Sequence, residues 1–210
     1  WLGCCFILGC WQLSFDDLFN QSAKLSTIDI FDYKGQSVKF VNVAQHYYLP
    51  MLISEDEKIE YIRTVIKVES EVRFLDKLIR YLEEPENKFG KMDWWLFSRV
   101  DETYDQVNVP YYNPFENKVL NFKPDFIFWL QKGTDYHIIF VDPKGTSRTE
   151  YEHKVDGFRE LFEKDGRPIV FEYDGLQVQV HLFLFTSDRA FSSDGYRRFW
   201  LDSVDGMLGM

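Results

Sequence analysis

The chain has 210 residues, with 45% hydrophobic and 18% aromatic content, which is enough for one good-sized domain with a buried core and sets aside disordered and low-complexity readings. Its formal net charge of -10 excludes whole-surface attraction to nucleic acid, because non-specific binding depends on neutralising phosphates with Lys and Arg. All three cysteines, Cys4, Cys5 and Cys10, crowd into the opening apolar run with no nearby His. They offer neither a disulfide framework nor zinc spacing, so a reducing, cytoplasmic setting is expected.

The run from Trp1 to Leu13 is apolar but shorter than the ~20 residues that span a bilayer, and it lacks the basic start of a secretory signal. It reads as a buried strand or helix, and no membrane is expected as a partner. A start at Trp1 rather than Met points to something preceding it that processing or excision removed. Residues 15–54 form a small leading region, in which Thr27-Ile28-Asp29-Ile30 and Val38-Lys39-Phe40-Val41 predict strands around the turn Lys34-Gly35-Gln36. His46 has no partner in sequence and reads as structural.

From Ser54 the period becomes helical. Ser54-Glu55-Asp56-Glu57 is an N-terminal signal, and Ile62, Val65, Val68, Val72, Leu75, Ile79 and Leu82 recur at three and four. The spacing predicts a long helix to about Glu83, with a break near Lys67, ended by Pro85. Glu71 falls on the flank of its apolar stripe and can point into a cleft. Phe122 to Leu130 and Tyr136 to Val141 then read as two strands apolar on both faces, joined by a hairpin loop over residues 131–135, and so predict the middle of a covered sheet.

Ser147-Arg148-Thr149-Glu150 is a capping box. Tyr151, Val155, Phe158 and Phe162 follow at helical spacing up to Asp165-Gly166, which predicts an amphipathic helix over the sheet. Val178 to Phe185 is a further strand, and strand, helix and strand fit a right-handed crossover that makes it parallel to Tyr136–Val141. Residues 192–204 predict a closing helix. The expected fold class is α/β, a central mixed sheet flanked by helices behind the small leading region.

The chemistry gathers on the paired strands. Residues two apart in a strand face one side, so Asp142 and Lys144 project together beyond Ile138 and Phe140, separated by Pro143. Asp125 opens the preceding antiparallel strand, and the start of one hairpin strand lies beside the end of the other. Two carboxylates at the edge of an apolar sheet repel, and a hard divalent ion relieves them. Mg²⁺ with two carboxylates, one main-chain carbonyl and water fits such a site, with Mn²⁺ as a substitute. A site of this kind suits phosphodiester hydrolysis, with Lys144 orienting or deprotonating the attacking water and stabilising the anionic transition state.

Pro124-Asp125, a hairpin, then Asp142-Pro143-Lys144 resembles the PD-(D/E)XK signature of the restriction-endonuclease-like fold. The resemblance implies catalytic Asp125, Asp142 and Lys144. It also implies a metal held by Asp125, Asp142, the Pro143 carbonyl and a helical carboxylate, Glu71 of Ser70-Glu71-Val72-Arg73-Phe74, with Glu69 as the fallback. With Trp94-Trp95, Tyr112-Asn113-Pro114 and Lys123-Pro124-Asp125-Phe126, the stretch from Val68 onward is similar to the C-terminal nuclease domain of the helicase-nuclease subunit of type III restriction enzymes. Many relatives carry Glu where this chain has Asp142, one methylene shorter.

That resemblance implies a Mg²⁺-dependent endodeoxyribonuclease domain over residues 55–210, with residues 1–54 the remnant of, or linker from, a preceding helicase region. DNA, that helicase region and a methyltransferase or specificity subunit are the implied partners. ATP enters only through the helicase, since no Gly-x-x-x-x-Gly-Lys-Ser/Thr loop occurs here. The alternatives are a silent nuclease-like interaction module and a nuclease acting on RNA. His153 reads as a surface histidine rather than a proton-transfer group, Lys154 and Arg159 as a solvated helix face rather than phosphate contacts, and Trp94, Trp95 and Trp129 as packing rather than base stacking.

Overall fold

A computed structural model describes residues 27–33, 36–42, 51–54, 65–66, 68–100, 107–143, 151–186 and 194–209. The opening apolar run with its cysteines, His46, the expected helix start at residues 55–57, Lys144 and the capping box at 147–150 lie outside the described residues. Fourteen strands and three α-helices follow in chain order among the described residues. The leading strands are β1 (Thr27–Tyr33), β2 (Gln36–Asn42), β3 (Met51–Ser54) and β4 (Val65–Ile66). Helix α1 (Glu69–Glu83) and a 3₁₀ turn (Lys88–Lys91) precede β5 (Trp94–Arg99), β6 (Val109–Asn113), β7 (Lys118–Phe122), β8 (Phe126–Lys132) and β9 (Asp135–Pro143). Helix α2 (Tyr151–Phe162) leads to β10 (Glu163–Lys164), β11 (Arg167–Pro168), β12 (Phe171–Tyr173) and β13 (Leu176–Phe185). A 3₁₀ turn (Asp194–Phe199), β14 (Trp200–Leu201) and α3 (Val204–Met207) close the chain.

The leading hairpin forms as expected, β1 antiparallel to β2, but the sheet goes further. Strand β3 pairs with β2, and β4 runs parallel to β3 with Leu52 opposite Val65. The helical period from Ser54 is therefore broken. Val65 and Ile66, both β-branched, take extended backbone, and the helix starts only at Glu69. From there its residues behave as the spacing requires. Phe74, Leu75, Leu78, Ile79 and Leu82 are buried on one stripe, and the helix stops before Pro85.

The main sheet has the order β12-β13-β9-β8-β5, with β14 beside β13. Strand β8 is antiparallel to both β5 and β9, whereas β13 is parallel to β9, as strand, helix and strand require. Strands β8 and β9 occupy the middle, which matches their unbroken apolar character. The apolar run at Phe122 to Leu130 is nonetheless two elements. Phe122 ends β7, which pairs with β6 in a separate hairpin, and Pro124 has no N–H to continue a ladder, so β8 begins at Phe126. The β8–β9 turn is tighter than expected. Gly133 alone of its two central residues takes positive φ, as a type II′ hairpin needs. No single closing helix forms at the C-terminus, because Trp200 and Leu201 pair with Leu184 and Phe185 on the edge of β13.

The sheet has a core on each face. Phe97, Phe126, Phe128, Leu130, Ile139, Val141 and Phe185 pack under α1 and α3, with the Phe74 ring 5.2 Å from Phe126 and 5.0 Å from Phe185. Ile127, Phe140, Val180, Leu182 and Leu184 pack on the other side with α2 and the β6–β7 hairpin. The result is the expected α/β class, a central mixed sheet flanked by helices. Among the described residues no helix is long and apolar enough to cross a membrane.

Candidate active site at the β8–β9 sheet end

Register places the two aspartates. Phe126, the first residue of β8, lies opposite Val141, so Asp125 and Asp142 are the residues that immediately flank the last pair of that ladder. The main chain of Asp125 is fixed from its other side too, since the Val100 N–H donates to the Asp125 carbonyl at 2.8 Å. Alternation then assigns the face. Ile127 and Phe140 pack toward α2, and Asp142, two residues beyond Phe140 within β9, is on that side of the strand. Asp142 is only 4% exposed, whereas Asp125 is half-buried.

Strand β9 extends through Pro143, longer than its apolar run indicated, and Asp142 is paired with Leu184 of β13, whereas the ladder to β8 ends at Val141. The Pro143 side, by contrast, belongs to the α1 face.

Glu71 is placed differently. It is buried at 5% exposure on α1, whose apolar stripe packs on the opposite face of the sheet from Ile127 and Phe140. Its Oε2 accepts from Arg99 Nε at 3.1 Å. The structure does not bring Glu71 to Asp125 and Asp142, and among the described residues no three His, Cys, Asp or Glu side chains gather to hold a metal. The fallback, Glu69, is exposed and paired with Arg73 one turn along the helix. Arg99 is the residue that sequence reasoning missed. The available signal was its position two residues beyond Phe97, on the inward side of the strand, where a partly buried guanidinium requires an acidic partner.

On α2 the three side chains meet partners within the chain. Arg159 is engaged by Asp156 and Glu163, the Lys154 ammonium sits 5.3 Å from the Phe122 ring, and the half-buried His153 ring meets Phe115. Trp95 is core, stacked near Phe89 and Phe97. Trp94 lies half-exposed with its indole N–H donated to Gln131, and Trp129 packs at the edge of the α2-side core. A cavity of about 450 Å³ beside α2 is lined by Asp156, Arg159, Glu160 and Glu163 and includes neither Asp125 nor Asp142.

A family model, that of the YagJ family, matches residues 62–174, just over half of the chain. The chain belongs to the YagJ family. The YagJ match runs from β4 through β12 and takes in Glu71, Arg99, Asp125, Asp142 and Lys144. No curated protein and no solved structure matches the chain.

Proposed function

We propose that this YagJ-family chain is a metal-dependent phosphodiesterase of the PD-(D/E)XK class, cutting DNA as the cleavage module of a helicase-nuclease of the type III restriction kind. The observation that supports the reading is the end of the β8–β9 ladder, whose last pair, Phe126 and Val141, is flanked by Asp125 and a buried Asp142, with Lys144 two residues further on in the sequence. An all-oxygen donor set of two carboxylates and the Pro143 carbonyl fits a hard cation better than a soft one. Bound there, Mg²⁺ would polarise a phosphoryl oxygen and lower the pKa of a water.

The chain's own groups do the rest. Asp142, paired with Leu184 of β13, fixes the position of the site. Asp125, half-buried, is the more accessible of the two carboxylates to an arriving phosphodiester. In this reading Lys144, two residues after Asp142 in the sequence, holds the attacking water and offsets negative charge in the transition state. Glu71, engaged by Arg99, supports the strand end from behind rather than joining the oxygen donors. DNA is held chiefly by the preceding helicase region, which reconciles a nuclease with a net charge of -10.

The engagement of Glu71 by Arg99 favours one second reading, a nuclease-like module that binds protein and does not cut. Plasmid nicking by the intact parent protein with Mg²⁺ and ATP separates the two. Asp125→Ala and Lys144→Ala variants that remain folded are expected to abolish nicking. Equal activity in all three proteins removes the site, and inactivity of the wild type with both DNA and RNA substrates supports the silent module.

A further inference from the structure

Far from the aspartates along the same strand lies a second cluster. His137 on β9 and His181 on β13 occupy neighbouring parallel strands, where His137 is paired with Gln179 and Ile139 with His181. Both histidines are in the odd-numbered set that includes Ile139 and Phe183, so they share the α1 face of the sheet. His137 Nδ1 lies 3.1 Å from His181 Nε2, with the ring centroids 5.2 Å apart. Nothing in the proposed hydrolysis uses them.

We propose that His137 and His181 form a two-imidazole site for a borderline transition-metal ion of the zinc, nickel or copper class, clamping β9 to β13. Two nitrogens bound to one tetrahedral zinc at about 2.0–2.1 Å are about 3.3 Å apart, close to the separation already present. Imidazole suits these ions and not Mg²⁺, so the site is chemically distinct from the carboxylate pair. Both rings are half-buried, which leaves solvent to supply the remaining ligands. Burial lowers the pKa of both, His181 to about 4 with help from His137, so both are neutral near pH 7 with lone pairs to give. Asp135, two residues before His137 on the same face, adds a negative charge near the site. Binding exchanges the N–H···N contact for two nitrogen–metal bonds. The ring that donated moves its proton to its other nitrogen, so neither imidazole changes charge.

The test is Zn²⁺ titration of the full chain, with Cys4, Cys5 and Cys10 blocked by alkylation and excess Mg²⁺ present, followed by calorimetry and by imidazole NMR resonances. One equivalent is expected to bind and to shift the rings of His137 and His181 but not those of His46 and His153. His137→Asn and His181→Asn should each weaken binding by about 10–100-fold or more, while Asp125→Asn leaves it unchanged. Absence of saturable binding, or ring resonances of His137 and His181 that stay put as Zn²⁺ binds, overturns the assignment and leaves a hydrogen-bonded pair only. Because the NMR readout uses the wild-type chain, a variant that fails to fold does not blunt the test.

Discussion

Gly157 sits in the middle of α2, where a glycine ordinarily costs about 1 kcal/mol relative to alanine. On an open helix Gly157→Ala would stabilise the protein by that amount. Here a Cβ at that position would lie 2.4 Å from the Pro110 carbonyl oxygen, 2.7 Å from Tyr111 Cβ and 2.9 Å from Tyr111 Cα. Ordinary contact distance is about 3.5–4.0 Å, so β6 must retreat by roughly 1 Å, and the obstacle is mainly backbone. Overpacking of this kind costs about 1–3 kcal/mol or more. Subtracting the propensity gain leaves a net loss of about 1–2 kcal/mol at the upper end of that range. Urea unfolding of Gly157→Ala should therefore show a lower midpoint than wild type at unchanged slope. Hydrogen exchange should speed up in Tyr111 and its neighbours on the β6–β7 hairpin. A variant stabilised by ~1 kcal/mol, with hairpin protection intact, would refute the close approach of α2 to β6.

Two further outcomes follow from buried charge and from titration. Arg99→Met removes one charged partner of the buried Glu71 carboxylate and should cost about 2 kcal/mol in urea unfolding, less than a fully buried pair because the Arg99 side chain is 32% exposed, whereas Glu71→Gln should cost less than Arg99→Met. With divalent ions chelated, His181 binds fewer protons folded than unfolded, because burial and His137 hold it near pH 4 against an ordinary 6.5. Its contribution is therefore complete above about pH 6.5 and is lost as pH falls toward 4, by at most about 3 kcal/mol, a slope that His181→Asn should flatten in pH-dependent unfolding.

The sheet centre was legible because strands buried on both faces are written as unbroken apolar runs, and β8 and β9 read that way. The helix at Tyr151–Phe162 was legible for the opposite reason, a clean period of three and four. What misled was periodicity without length. Val65 fits the helical stripe as well as Val72 does, yet it pairs with β3, a contact that no local pattern encodes. Phe122 was joined to β8 because hydrophobicity ran on through Pro124, although a residue without an N–H cannot sit inside a central ladder. At the site, the sequence puts Asp125 and Asp142 at one end of the hairpin, and the two flank the last pair of its ladder. The place of Glu71 is not legible in this way, because it depends on which face of the sheet α1 covers. The His137–His181 contact depends on the β9–β13 register, and the Gly157 approach on where the β6–β7 hairpin lies.

The most direct measurement is anomalous diffraction from crystals of the chain grown with Mn²⁺. The account predicts a peak bridging the carboxylates of Asp125 and Asp142 that disappears in Asp125→Ala. Manganese bound elsewhere, or those two side chains turned to opposite faces of the sheet, would contradict it.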